Sequence, residues 1–198
     1  MRIGTRTWAA RQPSTTASTP RRSPSTPTPR SSVVLRPDPS RQGHGAAIEV
    51  ARRSGRRLDI AGIIQDERYF HEAVEPHLDD RNVRYLGPVS AADRAEVLGS
   101  AHALLHLIDF DEPFGYSVVE AMACGTPVVA YRRGSMAELI RHGVNGLLVD
   151  DVEGAVRAVD VVGDLDRSLI RSITVERFDV AAMVERYVEV YRSILRDD

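Results

Sequence analysis

From Ser32 onward, short apolar runs alternate with longer stretches whose apolar positions recur at helical spacing. The runs SVVLR (32–36), RLDIAGII (57–64), NVRYLG (82–87), HALLHLI (102–108), PVVAYR (127–132) and GLLVD (146–150) predict six strands. The intervening segments predict helices from Gly43-His44-Gly45 to about Ser54, over 66–78, from Ala91 to Ser100 behind a Ser90 cap, from Tyr116 to Cys124 and from Met136 to Arg141. Three more follow near 151–162, 165–174 and 179–196. Strands alternating with helices of this length predict an α/β domain, a Rossmann-like parallel sheet with helices on both faces. Ligands of such sheets bind outside the carboxyl ends of the strands. The loops after residues 36, 64, 87, 108 and 132 are therefore where chemistry is to be sought.

The beginning of the chain does not fit this pattern. Of residues 11–30, 14 of 20 are Ser, Thr or Pro, and there is almost nothing apolar to bury. Residues 1–31 are expected to be a disordered extension and residues 32–198 the folded domain. The extension is rich in Arg and Ser and free of acids, yet its prolines forbid the amphipathic helix of a transit peptide. It also lacks the hydrophobic stretch of a secretory signal, so the expected location is cytoplasmic. No apolar run approaches the length of a membrane span.

Charge and composition narrow the chemistry. Residues 1–37 hold seven Arg and no acid, whereas the remainder holds 19 Arg and 28 acids, so the body is acidic and unsuited to general nucleic-acid binding. All 26 basic residues are arginine. The absence of lysine excludes P-loop nucleotide hydrolysis and Schiff-base catalysis. The single cysteine, Cys124, excludes an intrachain disulfide and a cysteine-rich zinc site.

The stretch from Asp109 to Glu120, DFDEPFGYSVVE, follows a strand and opens a helix. The free N–H groups at residues 114–117, with the helix dipole, form an anion cradle suited to a diphosphate. Gly115 lets a ligand approach the backbone. Glu112 and Glu120 flank the cradle. Two acceptor-only carboxylates beside a phosphate site need donors, and the vicinal hydroxyls of sugars supply them. Such a site reads as one for a nucleotide-sugar.

At these residues a family resemblance emerges. The run EPFGYSVVEAMACGTPVVAYRRGS resembles the signature of retaining glycosyltransferases of family 4 (group 1). That resemblance implies a GT-B fold, two Rossmann-like halves facing a cleft, with residues 32–198 corresponding to the donor-binding half. It implies that Glu120 holds the ribose hydroxyls, that Glu112 contacts the donor sugar, and that the backbone of Phe114, Gly115, Tyr116 and Ser117 meets sugar and phosphates. It places Gly134 and Ser135 near the donor sugar. It implies no metal and no cofactor beyond the nucleotide-sugar itself. The family's first loop supplies an Arg and a Lys to the departing diphosphate; here Arg36 stands at the strand end and no Lys follows, leaving Arg41 or Gln42. The acceptor-binding half has no counterpart in the sequence, so the isolated chain is expected to bind donor and transfer slowly, with a separate acceptor domain as a possible partner.

Other features have structural explanations. Ser135 and Glu138 read as a capping box. Gly125-Thr126-Pro127 reads as a helix stop, Cys124 as a small buried side chain and Asn145-Gly146 as a turn. Asp109-x-Asp111 is read as structural rather than metal-binding, and His102 and His106, on one face of a strand, as core-edge histidines. Tyr85-Leu86-Gly87 ends the third strand, where the family resemblance places base recognition. A non-catalytic nucleotide-sugar-binding module is the competing class. A dehydrogenase is disfavoured, since Gly43-x-Gly45 lacks the third glycine of the dinucleotide fingerprint. The missing Lys disfavours a phosphoacceptor receiver domain.

Overall fold

A computed structural model describes residues 32–35 and 43–196. The expected extension 1–31 and the candidate residues Arg36, Arg41 and Gln42 lie outside the described residues. The strands are β1 (Ser32–Leu35), β2 (Leu58–Ala61), β3 (Val83–Gly87), β4 (Leu104–His106), β5 (Val128–Tyr131) and β6 (Gly146–Val149). All pair in parallel in the order β3-β2-β1-β4-β5-β6. The order reverses between β1 and β4, where Val33 lies opposite Leu104. The two chain crossovers leave the sheet in opposite directions there and open a crevice at the carboxyl edge.

The helices are α1 (His44–Ser54), α2 (Glu67–Tyr69), α3 (Ala91–Ser100), α4 (Tyr116–Ala123), α5 (Met136–Leu139), α6 (Val152–Val161), α7 (Arg167–Phe178) and α8 (Val180–Ile194). They cover both faces. Ala47, Val50 and Ala51 of α1 pack with Ala155 and Val159 of α6 against Ile60, Leu105 and Val129 on one face. Leu98 of α3, Val118 and Met122 of α4 and Ile170 of α7 pack against Leu104, Val128 and Ala130 on the other. Leu104 and Leu105 are adjacent, both essentially inaccessible, and belong to different clusters. That is the signature of a central strand buried on both faces.

The strands are shorter than the apolar runs that announce them, because those runs continue into buried loop ends such as Leu107 and Ile108. The expected helix over 66–78 is broken. Pro76 has no N–H and its ring crowds the carbonyl four residues earlier. After α2 the chain widens to a π-helical segment, Phe70–Val74, in which the Glu75 N–H donates to the Phe70 carbonyl, and then tightens to a 3-10 turn, Glu75–His77.

Side chains cap most of the helices at their starts. Ser90 accepts from the Asp93 N–H at α3, Asp151 from Gly154 at α6, Asp166 from Ser168 and Leu169 at α7, and Asp179 from Ala181 and Ala182 at α8. Helices α1 and α4, which follow the two strands at the reversal, begin at Gly43 and Gly115 with no side-chain cap. A Cβ on Gly43 would stand 2.2 Å from the Leu107 carbonyl oxygen. The start of α1 can approach the end of β4 only without a side chain.

Helix α8 has no buried residue. Val180, Met183, Val184, Tyr187, Val190, Tyr191 and Ile194 form one exposed apolar stripe along it. Among the described residues no helix is long and apolar enough to cross a membrane.

The two glycines at the start of α1 should respond oppositely to alanine. Gly43→Ala is expected to cost about 2–3 kcal/mol by overpacking against β4. Gly45→Ala, where nothing lies within 4 Å of the new Cβ, should be neutral or stabilising by up to about 1 kcal/mol. Urea midpoints of the two variants, measured side by side, check this.

Candidate functional site

A cleft of about 370 Å³ opens at the carboxyl edge of the sheet, within the size range of small-molecule sites. One wall comes from the segments after β2 and β3, with Gly62, Ile63, Pro88 and Val89. The other comes from the β4–α4 loop and the first turns of α4, with Glu112, Gly115, Tyr116, Ser117 and Glu120, and Arg94 of α3 closes one side. Of the residues singled out between 112 and 120, Glu112, Gly115, Tyr116, Ser117 and Glu120 thus share one cavity, and Phe114 is not among its lining residues.

The β4–α4 loop is held from beneath by the loop between β5 and α5. The Ser135 N–H donates to the Glu112 carbonyl at 2.9 Å. The Gly134 N–H donates to Asp111 Oδ1 at 3.1 Å. The Ser135 hydroxyl donates to the Phe114 carbonyl at 2.8 Å. Arg133 pairs with Asp109 at 3.0 Å. Gly134 adopts φ +50°, and a Cβ there would lie 2.5 Å from the Glu112 oxygen. The two loops touch backbone to backbone.

This arrangement corrects the expectation of a capping box. Ser135 has helical backbone angles and makes no side-chain cap to α5. Its hydroxyl joins the loops instead. Gly134 and Ser135 position the site loop from below and are not among the residues lining the cleft. Asp109 and Asp111 both face the same loop junction.

Gly115 has a reason beyond the one expected. Its φ of +87° lies in the left-handed region, and a Cβ would come within 2.7 Å of Met136 Cε and 3.3 Å of Leu139 Cδ1. The missing side chain makes room for α5, and the residue also lines the cleft. The chain turns sharply into α4, whose first turn has no side-chain cap and lines the cleft with Tyr116 and Ser117. The Phe114 ring turns away, stacking near Tyr116 at 4.8 Å and edge-on to Phe178 at 6.1 Å between centroids. Tyr116 is 77% exposed.

The two glutamates stand in different surroundings. Among the described residues no side chain or N–H donates to the Glu112 carboxylate, which is left to face the cleft. The Glu120 carboxylate accepts from Arg94 Nη1 at 2.7 Å. Both partners of that pair are more than a third exposed, so it adds under about 1 kcal/mol to stability. What it does is fix a carboxylate at the cleft wall. Arg94 was not among the residues read from the sequence. The available signal was its place one turn before the buried Leu98, on the inner face of α3, where an apolar residue would ordinarily stand.

The region after β3 is tied to the end of β2: the Tyr85 hydroxyl donates to the Gly62 carbonyl at 2.6 Å and the Gly62 N–H to the Gly87 carbonyl at 3.0 Å. Away from the cleft, His102 lies 2.8 Å from the Val159 carbonyl and His106 is buried. Thr126 is buried and donates to the Leu98 carbonyl, with Gly125 at φ +74° stopping α4. Asn145 is a buried brace rather than a plain turn residue, donating to the Leu139 carbonyl and accepting from the Arg141 N–H. Cys124 is half-buried, not fully buried, and that burial pushes its thiol above the ordinary range.

The cleft can therefore receive an anion at the start of α4, hydroxyl donors at Glu112 and Glu120, and a flat apolar group between Ile63 and Val89. The chain is also similar to known proteins. A family described as "Glycosyl transferases group 1" matches residues 29–164. An N-acetyl-alpha-D-glucosaminyl L-malate synthase of Bacillus anthracis is 36% identical over 130 residues, which are 62% of this chain and 33% of that protein. The crystal structure of AviGT4, a glycosyltransferase involved in avilamycin A biosynthesis, superposes with a TM-score of 0.71 at 27% identity, covering 85% of this chain and 52% of that one. Anabaena HepE, crystallised with UDP and glucose, superposes with a TM-score of 0.70 at 24% identity, covering 83% of this chain and 49% of that one, a likeness of fold. The chain thus spans a third of that curated relative and about half of these solved structures.

The loop junction makes a local prediction. Gly134→Ala must push the Glu112 peptide away, at about 1–3 kcal/mol for the strained backbone. Hydrogen exchange should speed up across residues 109–116 while the central strands keep their protection. Uniform acceleration through the sheet would place the damage elsewhere.

Proposed function

The chain belongs to the group 1 glycosyl transferases, and from that premise we propose that it is the donor-binding domain of a retaining glycosyltransferase of family 4. One observation carries the reading: the uncapped start of α4 and both Glu112 and Glu120 lie in a single cleft at the carboxyl edge of the sheet. In this reading the nucleotide lies with its base toward Gly62, Ile63 and Val89, its ribose diol on Glu120 and its diphosphate on the N–H groups of Phe114 to Ser117. Glu112 accepts from hydroxyls of the sugar. Gly134 and Ser135 act by holding that loop.

Transfer breaks the bond between the anomeric carbon and the diphosphate oxygen, whose electron pair leaves with the phosphate. An acceptor hydroxyl forms the new bond on the same face and its proton passes to the departing diphosphate. Arg36 and Arg41, between β1 and α1 in chain order, are assigned to that developing negative charge, in the absence of a lysine. Losing one such donor from a transition-state clamp typically costs about 3–4 kcal/mol. No metal is required for this mode of binding. The attacking hydroxyl has to be oriented by a second wall, and orientation is worth roughly 7–11 kcal/mol in favourable cases. The domain by itself is therefore proposed to bind donor and to transfer slowly.

The exposed stripe of α8 favours a second reading alongside the first. An amphipathic helix with no buried residue is suited to contact with another domain. A separately encoded acceptor half, covering α8 and facing the cleft, would make this chain one subunit of a two-part enzyme.

Thermal melts in UDP, GDP and ADP and their glucose conjugates test the reading, with and without a chelator. Ligand at 100 times its Kd adds about 2.7 kcal/mol, about 5–10 °C for a domain of this size. The chelator should make no difference. Glu112→Gln is expected to weaken sugar conjugates about tenfold and free nucleotide little, because a bond to a charged acceptor is worth about 1.5–3 kcal/mol. Absence of a shift with every nucleotide, or a shift with NAD alone, would overturn the proposal.

A further inference from the structure

We propose that Arg94 is a positioning residue for the ribose: it holds the Glu120 carboxylate in the orientation that accepts the vicinal diol, and thereby makes the cleft select ribonucleotides over 2′-deoxyribonucleotides. The inference rests on the nucleotide-sugar reading and goes beyond it by naming a residue of α3 that the motif does not contain.

The geometry supports this in three ways. First, Glu120 lies one turn into α4, on a long side chain that is nearly half exposed at 43%. A free glutamate in that position samples several rotamers, each costing entropy when a ligand demands one. The bond from Arg94 Nη1 to Glu120 Oε1, at 2.7 Å, selects one of them before the ligand arrives. Second, that bond uses one oxygen of the carboxylate. A carboxylate has about four lone-pair sites, so two hydroxyls can still be accepted together. Third, Arg94 is itself firmly placed. It lies on the same face of α3 as Leu98, which is buried and whose carbonyl accepts from Thr126 at 2.6 Å. Arg167 donates to the Gly99 and Ala101 carbonyls at 2.9 Å. The carboxyl end of α3 is thus tied to the core, and its cleft-facing end reaches α4 through Arg94.

A stability role alone does not account for the pair. The partners are exposed enough that the contact contributes little to folding. Moreover, α3 has its own start signal in Ser90, whose hydroxyl accepts from the Asp93 N–H at 3.2 Å. An apolar residue at position 94 would continue the Leu98 face at least as well. The guanidinium is explained by what it does to the carboxylate.

The experiment compares dissociation constants for UDP, GDP and ADP with those for their 2′-deoxy counterparts, by calorimetry, on the wild type and three variants. The wild type is expected to bind the preferred ribonucleotide about 10–100 times more tightly than its deoxy form, the loss of one hydroxyl donor to a charged acceptor. Arg94→Met should reduce that ratio to about threefold or less while changing affinity for the deoxy form little. Arg94→Lys, which retains a donor to Glu120, should restore most of the ratio. Ser90→Ala destabilises α3 without touching Glu120 and should leave the ratio at its wild-type value; a fall there comparable to that of Arg94→Met would mean that α3 packing, not the guanidinium, sets selectivity. An Arg94→Met ratio equal to the wild type overturns the inference while leaving the nucleotide-sugar reading standing, and a wild-type ratio near one overturns it together with the assignment of the ribose to Glu120. If none of the three nucleotides binds the wild type, both fall.

Discussion

The cleft depends on a contact in which one loop meets another backbone to backbone at Gly134. Gly134 lies against the peptide of Glu112 so closely that a single added carbon would meet backbone atoms, and the neighbouring N–H and hydroxyl of Ser135 bond to the carbonyls of Glu112 and Phe114. This contact fixes the chain leaving β4 at the point where it must turn. Gly115 then makes the turn in the left-handed region, beneath Met136 and Leu139, and α4 begins abruptly. An abrupt start leaves donors uncovered at the carboxyl edge of the sheet, where Tyr116 and Ser117 line the cleft. Loop contact, backbone conformation and ligand chemistry are successive consequences of one packing constraint.

The electrostatics of the described cleft are not those of a phosphate trap. Glu112 and Glu120 contribute two negative charges and Arg94 one positive, and the start of α4 adds roughly half a positive charge. A diphosphate placed there alone would meet net repulsion. The balance changes for a ligand carrying hydroxyl donors, because each carboxylate then satisfies donors instead of facing an anion. It changes again if the arginines between β1 and α1 reach the same edge of the sheet. In the proposed reading the acids call for a polyol beside the phosphate that the helix start would take, and a bare polyanion is disfavoured.

Much of the fold was legible because its signals are local. The Ser90 cap and the apolar period of 91–100 give α3 its observed bounds, and the glycine ending α4 stands where the helix stop was expected. The motif from Glu112 to Glu120 was legible because the site is contiguous in the chain. What escaped reading was set by tertiary contacts. Pro76 signals a break, but the widening into a π turn depends on where the chain must end up. Ser135 three residues before Glu138 matches a capping pattern, yet the carbonyl of Phe114 is the acceptor its hydroxyl finds. Gly115 reads as room for a ligand, and its packing beneath Met136 and Leu139 of α5 is a second demand that only the tertiary structure reveals. Arg94 carries no motif at all; only the packing of α3 on α4 reveals its partner 26 residues away.

A single wall of this kind can do part of a reaction but not all of it. The groups proposed to meet phosphate, ribose and sugar all lie along the β4–α4 unit, so in that reading one rigid element binds and orients the donor. Orientation of the attacking hydroxyl then has to come from groups outside that element. The exposed stripe of α8 is the other surface of the domain that calls for a contact. The stripe belongs to the helix that follows α7, and Ile170 of α7 packs with Val118 and Met122 of α4, the helix that opens at the cleft.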